Sequence, residues 1–412
     1  MAFRIAGIDV HKAVLMVVVL EVETMEVVAW RRFATLASDL QMLAQWLQEQ
    51  GVEEAVMEST AQYWKPVWYE LEDLMTCHLA QAFSNRAPRG RKLDYRDAER
   101  LARRLVAKEL FLSFVPGPEQ RGWRTMTRMR VQLARDRGRV HNHVEALLEE
   151  MRIKLSSVIT DLFGSSGRRI LQALADGETD PQRLADLGDQ RLQCTEEKLR
   201  DALSGCATPE QHKLLKLHLQ RLNLVDEQIE ELNQMIAQAM RPHEDAVVRL
   251  AEMPGFGVDS AQQYIAEVGP EAATFPSAGE LTSWCGSNPG TNESAEQNHS
   301  TRSAKGNKYV RRVLTEVAQA TVKANGSHFQ LVFRRLLPKI GYKPALWAIV
   351  NRVNRVAWKL LHDKVRFVEQ SSERDAKAQA LRAKALARQL RRLGYTVLDP
   401  PKPATAQASG LP

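Results

Sequence analysis

The sequence predicts an α/β domain at the N-terminus followed by an all-α remainder. Three observations predict it. Short runs rich in Val, Ile, Phe and Leu crowd the first 33 residues, helix and strand patterns alternate from there to Asp94, and long helical repeats begin after Pro116-Gly-Pro118.

Taken in order, Ile5–Asp9, Val14–Leu20 and Met25–Phe33 read as three strands with only short connections between them. A helix follows at Ser38–Gln50, where Leu40, Leu43 and Leu47 fall at helical spacing. Then come a strand at Glu54–Ser59, a helix at Ala61–Met75, a strand at His78–Phe83, a basic loop at Asn85–Lys92 and a helix from Asp94. Three strands and then alternating helix and strand is the order of a ribonuclease-H-like domain. In that arrangement the first and fourth strands are neighbours, so Asp9 and Glu58 would face each other. Asp94 and Asp97, three apart on one helix, share a face.

Those four carboxylates are what a protein needs to hold a divalent ion against a phosphodiester. Mg²⁺ prefers oxygen ligands and keeps water or substrate phosphate as the rest of its shell; Mn²⁺ is a possible substitute. Two such ions about 3.5–4 Å apart stabilise both attacking and leaving oxygens. Each acid alone has a plainer reading as a turn, a cap or a first-turn charge offsetting the helix dipole. Their joint occurrence in this strand order favours the metal site.

Composition narrows the class further. A chain of 412 residues is long enough for two or three domains, and its 44% hydrophobic content suffices for packed cores. Net charge is +7 and the pI near 9.2, with clustered basic residues, which points to a polyanionic partner. The four cysteines, Cys77, Cys194, Cys206 and Cys285, form no Cys-x-x-Cys pair, so neither a zinc ribbon nor a disulfide framework is indicated. No apolar run is long enough to span a membrane, and no signal-peptide layout opens the chain. A cytoplasmic, nucleoid-associated protein is expected.

The boundaries read as residues 1–116 for the α/β domain, 117–247 for a helical region, 248–370 for a mainly helical C-terminal domain, and 371–412 for a basic helical tail. In Gln120–Met151, Met126, Leu133, Val140 and Leu147 recur every seven residues, like a coiled-coil seam. Within it, the span Arg121–Arg139 carries Arg121, Arg124, Arg128, Arg130, Arg135, Arg137 and Arg139 against one acid, Asp136. Solvated faces normally mix signs; a run of arginines suits phosphate and structured RNA. Gly164–Gly205 reads as short helices and loops. Pro209–Met240 gives a cleaner heptad through Leu215, Leu222, Ile229 and Ile236, so the two long helices suggest an antiparallel hairpin, packed on itself or used for dimerisation. Met253-Pro-Gly-Phe-Gly257 before an apolar helix resembles a helix-hairpin-helix turn, in which Gly255 and Gly257 would let backbone N–H groups approach phosphate. The tail holds a helix at Arg374–Leu393, and its final dozen residues are expected to be disordered.

Between two helices lies a polar segment from Trp284 to Arg312. It ends in a cationic helix start of Arg302, Lys305, Lys308, Arg311 and Arg312. Such a loop can set a serine hydroxyl beside phosphate, but serine needs activation by a base, a metal or cations. Spacing does not choose among Ser287, Ser294, Ser300 and Ser303, nor between a nucleophile and a phosphate-binding loop.

The ordered pieces Gly7-Ile-Asp9, Met57-Glu58-Ser-Thr60, Lys92-Leu-Asp94-Tyr-Arg-Asp97-Ala, Pro254-Gly-Phe-Gly257, Trp284-Cys-Gly-Ser-Asn-Pro289, Glu293-Ser294 and Ser303-Ala-Lys305-Gly-Asn resemble the IS-one-ten family of insertion-sequence transposases, over about residues 3–330. The resemblance implies a RuvC-like domain with an Asp-Glu-Asp-Asp site, a central coiled coil and a C-terminal transposase domain with a catalytic serine. It implies that Asp9, Glu58, Asp94 and Asp97 hold Mg²⁺ and that Ser294 joins covalently to DNA phosphate. Where the family usually has glycine after that serine, this chain has Ala295. It further implies a homo-oligomer (dimer or tetramer), DNA element ends and target as substrates, and a non-coding bridge RNA as guide. Two rivals stand beside this reading: a metal-dependent nuclease or junction resolvase in which water attacks, and a non-catalytic nucleic-acid-binding shell.

Overall fold

In a computed structural model of the chain, residues 3–59, 61–85, 93–189, 191–288, 292–294, 297–300, 303–369 and 376–397 are described. The chain divides into two compact units, Met1–Gly117 and Pro118–Pro412.

The first unit is built from β1 (Arg4–Val10), β2 (Leu15–Glu21), β3 (Val27–Phe33), α1 (Ala37–Glu49), β4 (Val52–Glu58), α2 (Trp64–Leu71), β5 (Thr76–Ala80) and α3 (Asp94–Val106). Its mixed sheet has the order β3-β2-β1-β4-β5. The first three strands meander antiparallel, while β1 pairs parallel with β4 and β4 with β5. Side chains alternate faces along a strand, and both faces are covered. Ala6, Ile8, Val10, Val17 and Val19 pack under α1 and α2 with Leu43, Leu47, Val67 and Leu71. On the other face Ile5, Leu20, Met16, Val18 and Val56 meet Ala98, Leu101 and Ala102 of α3. Coverage on both sides explains why β2 reads as an unbroken apolar run.

Two elements differ from expectation. Helix α2 spans Trp64–Leu71 rather than Ala61–Met75, because Ala61 sits at φ +49° and the chain turns before and after the helix. The last strand is Thr76–Ala80 rather than His78–Phe83: it pairs from Glu54↔Thr76 to Glu58↔Ala80, and Ala82–Asn85 then coil into a 3₁₀ turn. Most of the expected basic loop after Asn85 lies outside the described residues.

The second unit holds α4 (Pro118–Glu150), α5 (Leu155–Val158), α6 (Ser165–Ala175), α7 (Pro181–Asp186), α8 (Glu196–Leu203), α9 (Pro209–Ala239), α10 (Glu244–Ala251), α11 (Val258–Val268), α12 (Ala278–Trp284), the short strands β6 (Asn292–Ser294) and β7 (Gln297–Ser300), α13 (Lys308–Thr321), α14 (His328–Ile340), α15 (Tyr342–His362) and α16 (Ala376–Arg392). Helices α4 and α9 pack antiparallel within the chain. Trp123 joins Ile236 and Met240 at one end, while Val140, Val144 and Leu147 join Leu215, Leu219 and Leu222 at the other. Thr208 and Gln211 close a capping box at the start of α9. A larger core gathers α10, α11, α13 and α15, and Leu390 and Tyr395 from the C-terminal stretch are buried in it. The expected disordered dozen lies outside the described residues.

Candidate active site

The acidic group forms where β1, β4 and α3 meet. Asp9 shares a face of β1 with Ile5 and Gly7, and Glu58 shares a face of β4 with Val56; both faces look toward α3. The parallel register Gly7↔Val56 and Ile8↔Met57 brings the C-terminal ends of these two strands side by side. Gly7 lets α3 come close: a Cβ there would fall 2.0 Å from the Ala98 carbonyl oxygen. The first turn of α3 therefore delivers Asp94 and Asp97 to the same face.

Sequence reasoning missed His11. Its Nε2 lies 3.1 Å from Asp9 Oδ2 and 3.6 Å from Asp94 Oδ1. One ligating atom from each of Asp9, His11 and Asp94 lies within 4.8 Å of the others, the grouping that could hold a metal among the described residues. Two carboxylates and an imidazole suit a divalent ion. The only signal for His11 was its place two residues after Asp9. Glu58 and Asp97 are held differently. Asn85, itself buried, donates from Nδ2 to Glu58 Oε2 at 3.0 Å, and accepts from Arg100 Nε at 3.2 Å. Arg100 donates its other arm to Asp97, which is also buried. One arginine and one asparagine thus tie two acids of the set together, and Arg100 lies three residues after Asp97, a spacing legible in advance.

The serine segment is pinched at its base. Gly286, at φ +65°, would place a Cβ 2.4 Å from the Ala304 carbonyl oxygen, and one on Gly306 would fall 2.2 Å from the Cys285 carbonyl. Arg311 fastens the junction by donating to the carbonyls of Gly286 (2.6 Å) and Ala304 (2.8 Å) and to Ser303 Oγ (3.1 Å). Asn307 caps α13. Ser287 is fully buried, donates to the Thr282 carbonyl and accepts from Asn354 Nδ2, which occupies its hydroxyl structurally. Ser294 ends β6, which pairs with β7 through Ser294↔Gln297. The Ser294 side chain, Ala295 and Arg302 lie outside what is described. Lys305 and Lys308 are exposed; Arg312 donates to Glu316.

The arginines of α4 divide into two groups. Arg128 forks onto Glu267 at 2.8 and 2.9 Å and stacks over the Tyr309 ring at 4.3 Å. Arg124 donates to the carbonyls of Ala266 and Glu267, and Asn307 completes the ring around the fully buried Glu267 carboxylate. Burial draws the Arg124 guanidinium down to about 10. Arg130, also buried, meets Asn233, Gln262 and Asp259. Arg121 is half-buried, whereas Arg135, Arg137 and Arg139 are exposed. The glycines of the α10–α11 turn are also engaged internally. Gly255, at φ +89°, abuts Thr321 and the Val317 carbonyl of α13, and the Gly257 N–H donates to Ser260 Oγ.

Two family models match the chain. A transposase model of the IS110 DEDD type covers residues 6–153, taking in all four acids, and a second, described as the transposase IS116/IS110/IS902 family, covers residues 247–334 with the serine segment. Together they span more than half of the sequence. The chain belongs to the IS110 family of transposases. As an IS110-family protein it is a DNA transposase, acts on DNA and uses a divalent metal. No curated protein matches it. No described helix is long and apolar enough to cross a membrane.

Proposed function

We propose that this transposase cuts and rejoins DNA through Ser294, with Asp9, Glu58, Asp94 and Asp97 as its metal-binding acids and a bridge RNA as its guide. The observation that carries the reading is the serine segment itself: the paired strands β6 and β7, with Ser294 ending β6, lie in a segment whose two ends are clamped together by Gly286, Gly306 and Arg311, with Lys305 and Lys308 exposed at its C-terminal end. A base fixed by close backbone contacts, with exposed lysines next to it, suits holding a nucleophile against phosphate.

In the reaction the Ser294 hydroxyl attacks a backbone phosphorus. A Ser Oγ–P bond forms, the P–O3′ bond breaks, and the serine proton ends on the departing 3′-oxygen. The phosphoserine then accepts attack by another strand's 3′-hydroxyl, which reforms a phosphodiester and returns the proton to Ser294. Lys305 and Lys308 would hold phosphate oxygens during both steps. Asp9, His11 and Asp94 would hold a divalent ion, Mg²⁺ or Mn²⁺, which when bound stabilises charge on phosphate oxygens. Asn85 and Arg100 keep Glu58 and Asp97 in place. The exposed Arg135 and Arg139 are offered to the guide RNA, with base pairing left to choose sequence. A homo-oligomer, dimer or tetramer, is the expected working form.

A second reading, hydrolytic cleavage, is favoured by the Asp9–His11–Asp94 cluster, since such a group needs no serine to activate water. Covalent trapping separates the two. Protein co-expressed with its flanking non-coding RNA is given metal and labelled element-end DNA, then denatured. An adduct in wild type that Ser294→Ala abolishes supports the serine reaction; cleavage without adduct, equal in both proteins, means hydrolysis.

A further inference from the structure

The helical hairpin α14–α15, most of which lies beyond residue 334 where the family match ends, carries an unbalanced charge. Residues 328–362 contain Arg334, Arg335, Lys339, Lys343, Arg352, Arg355 and Lys359 and no acid. All seven are exposed, and none has an ion-pair or hydrogen-bond partner among the described residues. Seven exposed cations with no acid in the same hairpin form a cationic ridge whose positive potential attracts anions. Arg352, Arg355 and Lys359 follow at helical spacing along α15.

Behind the ridge lies a cavity of about 1070 Å³, lined by Lys343, Trp347, Asn351, Arg352 and Arg355 of α15 and by Arg311. The Arg311 guanidinium stands 4.5 Å from the centre of the Trp347 ring. The indole N–H of Trp347 is buried with no hydrogen-bond partner among the described residues. Buried donors are nearly always satisfied, so this one marks a place where an acceptor is missing. A cationic track backed by an aromatic ring is how proteins hold single strands: phosphates on the cations, a base on the ring. A base paired in a duplex could not turn into such a recess.

We propose that the α14–α15 ridge binds the backbone of a DNA single strand and that the cavity takes one unstacked base of that strand against Trp347. The inference rests on DNA being the substrate and not on the serine chemistry.

The test is binding of a labelled single strand, with duplex DNA and single-stranded RNA of the same sequence as comparisons, in chelator and at several salt concentrations. Without metal there is no cleavage, so the outcome does not depend on Ser294. The full-length protein carrying Arg352→Glu and Arg355→Glu is expected to bind the single strand at least tenfold more weakly. Its salt slope should fall by about 1.4, two phosphate contacts at about 0.7 each for single strands. Trp347→Leu should weaken binding with the slope unchanged, while Trp347→Phe, which keeps a ring, should retain most of it; thermal melting checks that each variant is folded. A strand carrying 5-iododeoxyuridine should crosslink on irradiation to the peptide containing Trp347. Wild-type affinity in the charge-reversed protein, an equal loss for duplex DNA, a loss confined to RNA, or a crosslink mapping elsewhere would each overturn the proposal.

Discussion

Gly7 and Ala98 meet backbone to backbone: any side chain on Gly7 would begin 2.0 Å from the Ala98 carbonyl oxygen. This contact sets how close α3 lies to β1, and so how close Asp94 and Asp97 come to Asp9. Gly7→Ala should therefore push the helix outward, at about 3 kcal/mol or more, the upper end of overpacking penalties. Urea unfolding would read the loss. Metal-induced stabilisation should vanish in the same variant although every acid is still present.

The strand order and the elements that carry the four acids were legible because period-2 and period-3.6 patterns are local and β1 and β2 are covered on both faces. What the sequence hid was pairing at a distance. Nothing local marks Asn85 as the link between Glu58 and Arg100, because that bond spans 27 residues and depends on the turn after β5. Arg124 and Arg128 read in the sequence as members of a nucleic-acid-binding row. Their partner, Glu267, lies 139 residues beyond Arg128, near the end of a largely apolar helix. Charge counting over a window cannot find such a partner.

Glu267→Gln should leave two buried or half-buried guanidiniums short of their counter-charge. Breaking a buried pair from one side costs about 3–5 kcal/mol, and a loss of that size is expected in denaturant titration. A surface pair such as Lys216–Asp176, disrupted by Asp176→Asn, should leave the denaturation midpoint close to wild type.

Metal preference should depend on His11. Imidazole suits softer transition ions better than Mg²⁺. His11→Ala is expected to weaken stabilisation by Mn²⁺ about tenfold while shifting that by Mg²⁺ less, both followed as melting temperature against metal concentration. Asp9→Asn should abolish both. Equal effects of His11→Ala on the two ions would place the imidazole outside the metal's ligand shell.

Cys285, buried, and Cys77, half-buried, give a pH test. Burial pushes both Cys77 and Cys285 up to about 12 from an ordinary 9.0. Between pH 9 and 12 the unfolded chain gives up protons that the folded chain keeps, so stability should fall as pH rises through that window. At pH 8 the thiolate forms of both are scarce, and iodoacetamide should label the exposed Cys206 first, with Cys285 last. Peptide mapping over time would show the order.

Gly306→Ala and Gly286→Ala should loosen the serine segment without touching a reacting atom. Each adds a methyl where a carbonyl carbon or oxygen already stands, and Gly286 also holds a left-handed backbone. Strand rejoining is expected to fall by tenfold or more in both, while DNA binding by the protein stays near wild type; an undiminished rejoining rate would mean that the clamp does not position the serine.

The same clamp turns the loop into a tether of fixed length. Ser294 stands eight residues after Gly286, and a chain advances at most about 3.5 Å per residue, so the serine lies no more than about 28 Å from that anchor. Whatever phosphate it attacks must be brought inside that sphere. Adding residues between the two glycines would widen the sphere and dilute the nucleophile within it, so the loop's length trades range against effective concentration.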